Sequence, residues 1–350
     1  MLFCAVSSRG EGALEWSGFA LLRAGSTSDT GPLAMASVSS QVHVGLDWTP
    51  SPTWKAHVHL LGRTDAAHTI RGRAGIPEAY VEANFHPGNN RLRLRGGAFF
   101  LPTSRENVDA LWETAYTLTP SALNSWFGEE LRPIGLDATY SRGRVFGGAT
   151  VFRGNDTFGA LPVDRGWSLR DHWMVLGERI MLPPLPGTTE EYTTSVSAET
   201  DHRLGWSGRA GWNGQYLLVQ VTHIDNRADA LHHGDLENWD TRFEVVAAEY
   251  TREDWTVAAE SGWGPTVIIN EDGSTYKAPL DTTYLLVSRR WDRGRVTLRG
   301  DWFRTDQTHN RALTAAFLWT PPGRLRPGLE LSTAGGKRRA LVELRYSFGG

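Results

Sequence analysis

Residues 337–348 read KRRALVELRYSF, and their two parities decide the fold. Ala340, Val342, Leu344, Tyr346 and Phe348 fall on one parity, and Arg339, Glu343, Arg345 and Ser347 on the other. This is the period-2 signature of a strand whose two faces meet different solvents. In a soluble sandwich the apolar face looks into a core. In a membrane-spanning barrel it looks out into lipid, and the charged face lines water.

Working back from this segment, the same alternation recurs at residues 14–23, 40–48, 54–63, 78–85, 91–101, 134–140, 145–152 and 204–212. It continues at 216–223, 242–250, 255–263, 283–291, 295–303, 311–319 and 325–332, for about sixteen strands in all. Short turns such as TPSPT (49–53), HPGNN (86–90), Asn213-Gly214 and PPGR (321–324) alternate with mostly longer links. An up-and-down barrel imposes that phase, because successive connections lie at opposite ends. No linker or composition break interrupts the pattern. Residues 1–350 are therefore expected to form a single all-β domain, one transmembrane antiparallel β-barrel. Its first strand near 14–23 pairs with the closing strand near 337–348, with long loops at 102–131 and 153–203. Residues 242–250 and 283–291 resist the scheme, since either parity exposes a charge, Glu244 or Glu249 and Arg289 or Arg290; snorkelling near an interface accommodates them.

The aromatics favour lipid as the outer solvent. Trp48, Trp54, Phe85, Tyr140, Trp212, Trp255, Trp319 and Phe348 sit beside the short turns or the C-terminus, mostly on the apolar parity. Phe100, Trp263 and Trp302 lie near the opposite strand ends, so two rings bound an apolar band, as membrane interfaces favour. Mean hydropathy of -0.36 and the lack of a long apolar run exclude a helical membrane protein. A net charge of -3 gives no basic excess to draw nucleic acid. Cys4 is the sole cysteine, which excludes an internal disulfide framework. Residues 1–10, MLFCAVSSRG, offer only a short apolar run and no signal peptide is read there, which weighs against export.

If the apolar parity faces lipid, the other defines a water-filled lumen. Its basic lining is Arg91, Arg93, Arg95, Arg295, Arg299, Arg326, Arg339 and Arg345; its acidic lining includes Glu82, Asp137, Asp301 and Glu343. Arg91, Arg93 and Arg95 form a column at about 7 Å per step. The loop that follows carries Glu106, Asp109, Glu113, Glu129 and Glu130, with residues 107–116 suited to a short helix. Folded inward opposite the column, it would narrow a pore and select by size and charge. His43, His57 and His59 share the polar parity of adjacent strands.

Signals for catalysis are weak: no G-x-S-x-G, Walker or H-E-x-x-H motif occurs. His232, His233 and Asp235 and the segment NEDGS (270–274) read as loop and turn residues before metal ligands, so no metal, cofactor or catalytic group is expected. RGD at 299–301 lies inside an expected strand, which disfavours adhesion.

GGAFFLPTSREN (96–107) and EELRPIGLDATY (129–140) resemble bacterial outer-membrane porins, most closely those of the phosphate-selective O and P type. Phe348 is similar to the C-terminal aromatic that the barrel assembly machinery reads in that class, although Gly349 and Gly350 follow it here. The resemblance implies a channel in the Gram-negative outer membrane, set in lipid and lipopolysaccharide. It further implies passive diffusion of small hydrophilic, in some members anionic, solutes, commonly through a homotrimer. The alternatives are a barrel enzyme or lipophilic-substrate transporter of that membrane, and a soluble all-β carbohydrate-binding protein.

Overall fold

The computed structural model of the chain describes residues 12–27, 38–64, 69–182, 192–306 and 309–349. Residues 1–10, with Cys4, and Gly350 lie outside them. Sixteen antiparallel strands close into one barrel. They are β1 (Ala13–Thr27), β2 (Val38–Thr49), β3 (Trp54–Arg63), β4 (Ala74–Phe85), β5 (Asn90–Ala98), β6 (Ile134–Arg142), β7 (Val145–Arg153) and β8 (Gly205–Asn213). The second half comprises β9 (Leu217–Asp225), β10 (Asp240–Arg252), β11 (Trp255–Ile269), β12 (Thr275–Trp291), β13 (Gly294–Arg304), β14 (His309–Trp319), β15 (Leu325–Ala334) and β16 (Lys337–Gly349). Neighbours in sequence are neighbours in the sheet, and β1 pairs with β16, Ser17 opposite Gly349 and Arg23 opposite Glu343. The seam expected from the first and last segments is therefore formed.

One end of the barrel carries the tight turns. Gly143, at φ +59, supplies the left-handed residue that the two-residue link between β6 and β7 requires. The other end carries the longer loops, including a three-stranded sheet of Thr69–Arg71, Arg179–Leu182 and Tyr192–Ser195. Strands β11 and β12 run further than the sequence pattern indicates. Pro265 and Pro279, which carry no N–H for the ladder, stand opposite each other, so the two interruptions fall at one level of the wall.

Side chains alternate between two environments on every strand. On β16, Val342, Leu344 and Tyr346 are 56, 46 and 46% exposed, whereas Leu341, Glu343 and Arg345 are 1, 1 and 4% exposed. Exposed Trp48, Trp54, Trp255 and Trp319 border the outer apolar band near the tight turns, and Trp206, Trp263 and Trp302 border it at the other end. The two discordant strands resolve at these borders. Glu244 points outward, opposite Trp263 in register, and accepts from His223 at 2.6 Å. Arg289 points outward and stacks over Trp255 at 5.3 Å. Each charge reaches past the apolar band at the level of an aromatic ring.

The inner parity is largely buried because two inserted segments pack into the lumen. Residues 99–133 and 154–182 fold inward and bring helices α1 (Ala122–Glu130) and α2 (Ala160–Asp164) with them. Every residue of α1 is buried. Its Trp126 stacks on Phe158 at 4.5 Å and meets Phe243 of the wall edge-on at 4.9 Å, so the apolar core lies inside the barrel.

Candidate functional site

The first insertion leaves the wall after β5. Ser104 Oγ accepts from the N–H groups of Glu106 and Asn107 at 3.0 and 2.8 Å, which turns the chain inward. Arg299, fully buried, donates to Glu106 at 2.6 Å, Asp301 at 2.9 Å and the carbonyls of Thr119 and Pro120 at 2.7 and 3.0 Å. Glu330 accepts from the N–H groups of Leu118 and Thr119 at 2.8 and 3.0 Å, and Glu260 from Arg105 N–H at 2.5 Å and Asn124 Nδ2 at 2.7 Å. Wall charges thus hold the loop by charge-assisted bonds to its backbone. The helix expected over 107–116 is replaced by a 3₁₀ turn, Ala110–Trp112, with Leu111 and Trp112 at φ 57 and 61. Asp109 Oδ1 accepts from Ala110 N–H, and Asn107 Nδ2 donates to the Trp112 carbonyl, so side chains take the backbone groups that a helix needs. The helix forms instead after Ser121, which caps Asn124 N–H.

The second insertion was legible in sequence only as a long link. It crosses the lumen at the long-loop end and is tied to several walls. The Trp167 indole donates to the Arg304 carbonyl at 3.1 Å, and Asp171 accepts from Arg23 at 2.8 Å and Gln41 at 3.3 Å. Glu178 accepts from Arg63 at 2.7 Å and lies 2.6 Å from His172 Nε2. Trp173, wholly buried, donates to Glu113 at 2.8 Å and packs over α1 at Gly128, where a Cβ would stand 2.2 Å from its ring. Only glycine fits there. Arg23, Arg63, Asp171, Trp173 and Glu178 were not singled out by sequence; the aromatic run WSLRDHWMVL (167–176) was the available signal.

All eight arginines expected in the lumen lie on the inner parity, but their partners differ from the expected ones. Arg91 donates to Asn84 at 2.7 Å, Arg95 pairs with Glu82 at 2.9 Å, and Arg93 stands 3.7 Å from Asp137, which Arg209 holds at 2.7 Å. The column is therefore engaged along the wall by side chains that neighbouring strands place in register, although Arg91 meets a neutral amide, and Arg93 shares Asp137 with Arg209 and keeps a buried Nε without an acceptor. The loop carboxylates go elsewhere: Glu106 to Arg299, Glu113 to Arg345 at 2.9 Å, Asp109 to Arg326 at 3.9 Å, and Glu129 to Arg165 and Arg170 at 2.5 and 3.0 Å. Glu343 joins Arg23, Arg345 and Arg326, Arg339 pairs with Glu330, and Arg295 lies over the Tyr116 ring at 4.8 Å.

Of the histidines, His43 Nδ1 and His59 Nε2 lie 3.0 Å apart, and His57 pairs with Asp47 at 2.7 Å. His233 pairs with Asp229 at 2.7 Å, and residues 270–274 form a turn closed by Asp272 on Ser274 N–H. Ligand atoms of Asp156, Glu199 and Asp201 lie within 4.8 Å of one another. Asp156 accepts from Thr200 and Glu199 from Gly154 and His202, so backbone scaffolding accounts for this group.

Buried carboxyls where the two insertions meet make their docking expected to vary with pH. Burial pushes Glu130 up to about 7, although it accepts from the Trp126 indole and from Gly159 and Leu161 N–H. Burial, with Glu237 and Glu130 nearby, pushes Asp164 to about 8. Burial would raise Glu129 too, but Arg165 and Arg170 bring it down to about 2. A raised carboxyl holds its proton more tightly when folded, so docking is strongest below the unfolded value of 4.5 for Glu130 and weakens as pH climbs through 7. Glu129 acts oppositely, its contribution being lost as pH falls from 4.5 towards 2. Thermal stability in detergent is expected to decline from pH 4.5 to 7, and Glu130→Gln to flatten that decline. An unchanged slope in the variant would remove Glu130 from this role.

Between the wall strands β2 to β5 and the loop tip at 101–112 remains a cavity of about 500 Å³, bordered by Asp47, Lys55, Tyr80, Arg95, Arg105 and Trp112.

No protein-family model matches the chain, and no match is found among curated proteins. Solved structures do match over nearly its whole length. A loop L8 deletion mutant of OmpT, an outer membrane protein of Vibrio cholerae, superposes with a TM-score of 0.61 at 10% identity, covering 97% of this chain and 100% of that one. Salmonella typhi OmpF in complex with daunomycin gives 0.60 at 10% identity over 96% and 98%. In-vitro folded OmpT of Vibrio cholerae in its trimer form gives 0.58 at 10% identity over 97% and 100%. At this identity the likeness is one of fold.

Proposed function

We propose that the chain is an outer-membrane channel for passive diffusion of small hydrophilic solutes, with a preference for anions, and that it is not an enzyme. One observation carries this: a closed barrel with an apolar outer band and a charged interior, narrowed by two inserted segments, with a cavity of about 500 Å³ left beside the first. The outward aromatics suit contact with lipid and lipopolysaccharide and count against the soluble alternative. The anion preference rests on the arginine column and on the resemblance of residues 96–140 to phosphate-selective porins.

Purified protein is expected to form channels in planar bilayers, and Arg93→Glu to shift selectivity several-fold towards cations. That variant deletes a guanidinium that stands 3.7 Å from Asp137 and puts a carboxylate on the same stretch of wall. A folded, detergent-stable sample without conductance would overturn the proposal.

A homotrimer belongs to the same proposal. Outward Gly96, Ala138 and Ala149 beside Leu94 and Leu136 leave an apolar groove of about 560 Å³ on the outer wall, suited to side chains of a second copy. Native mass in detergent should be three times that of the chain, and a monomer mass would dismiss it.

A further inference from the structure

We infer that the cavity beside the loop tip is a binding site for a small organic anion with a flat apolar body, its carboxylate held by Arg105 and its ring against Trp112. The inference rests on reading this cavity as part of the solute path, and it adds the class of solute.

The charged groups around the cavity are satisfied with one exception. Lys55 pairs with Asp47 at 2.8 Å, Arg95 with Glu82 at 2.9 Å and Asp109 with Arg326 at 3.9 Å; Glu78 accepts from Phe100 N–H at 2.8 Å. Arg105 is that exception. Its backbone N–H is fixed to Glu260 at 2.5 Å, while its side chain borders the cavity with no carboxylate partner among the described residues and a buried Nε that has no acceptor. A guanidinium in that state offers a planar donor fork to an incoming carboxylate. Arg105 is thus the guanidinium at the cavity that lacks an ion pair of its own among the described residues, with Glu260 acting on it only at longer range.

The apolar part is equally local. Trp112 stacks on Phe100 with centroids 4.1 Å apart and planes 4° apart. Behind this pair, Arg132 sits over Phe100 at 3.2 Å and Trp173 meets Trp112 edge-on at 5.0 Å. The slab is thus braced from behind. Leu111 and Trp112 both hold left-handed backbone, at φ 57 and 61, a conformation that bulky residues rarely keep without a functional reason. It places the tip against β2, where a Cβ on Gly45 would stand 2.9 Å from Leu111 Cδ2. A cavity of about 500 Å³ admits a ring with a carboxylate and is small for an extended chain.

The test uses benzoate, acetate and benzylammonium as probes, titrated calorimetrically into folded wild-type protein in detergent. Benzoate is expected to bind at least tenfold more tightly than either of the others. Arg105→Gln should abolish that binding, Arg105→Lys should restore part of it, and Trp112→Leu should narrow the gap between benzoate and acetate. Heat-dependent gel mobility checks that each variant is a folded barrel. Equal affinity for benzoate and acetate, or binding unchanged in Arg105→Gln, would overturn the site. The measurement needs no conductance. A barrel that binds benzoate but passes no current refutes the channel alone, and one that conducts without binding refutes the site alone.

Discussion

Replacing residues 157–199 with a short Gly-Ser link is expected to raise single-channel conductance several-fold. The second insertion crosses the lumen between Arg304, Arg23 and Arg63, and its Trp173 closes over α1. Removing it unblocks the long-loop end. The barrel should tolerate the change, because Phe152 of β7 already stands opposite Gly205 of β8 and the two ends need only a tight connection. Stability should nevertheless fall, since the exchange strips Phe158 and Trp167 from Trp126 and also deletes the buried Trp173. Loss of one such aromatic costs about 3–5 kcal/mol. Conductance equal to wild type in planar bilayers would mean that this segment does not limit flow.

Arg299→Met should be the most damaging single substitution in the lumen. The guanidinium meets Glu106, Asp301 and the carbonyls of Thr119 and Pro120, with no exposure to solvent. Deleting one partner of a buried pair and leaving the other costs about 3–5 kcal/mol, and here two carboxylates are left. The first insertion would lose its hold on β13, so both a lower unfolding temperature and noisier current are expected. Adding Glu106→Gln and Asp301→Asn to the variant should recover much of the loss, because neutral groups tolerate burial better than unpaired charges. A single variant as stable as wild type would show that the loop is held by its apolar contacts instead.

Much of the architecture is legible in the sequence. Strand positions, the phase of the turns and the two faces of residues 337–348 follow from a period of two, a local property written in each segment. The closing of β1 on β16 follows from the same parity, Leu14, Trp16 and Leu22 facing out as Val342 and Leu344 do. What alternation does not carry is which inner groups meet. Arg23 and Asp171, Arg345 and Glu113, and Arg299 and Glu106 are partners across the lumen, far apart in the chain, and no spacing rule links them. The inner parity looked like water-lined wall because charged residues occupy it. In the fold part of those charges, such as Arg299, Glu330 and Arg345, is buried against backbone and counter-charge supplied by the insertions, and the rest, such as Arg95 and Asp137, meets its partners along the wall. The helix was misplaced for a related reason: residues 107–116 have helical composition, but Asn107 and Asp109 spend their side chains on nearby backbone groups.

Arg23 sets an order of events in time. It joins β1 to Glu343 of β16 at 2.6 Å and, with its other nitrogen, holds Asp171 of the second insertion at 2.8 Å. Bringing the first and last barrel strands together closes the longest loop among the strand pairs, so this contact forms late in folding. Until those strands meet, Arg23 lacks one of its two carboxylates, so closing the ring also completes the anchor of the insertion. A half-built barrel would therefore keep an open, hydrated interior, and the molecule becomes restrictive only on completion.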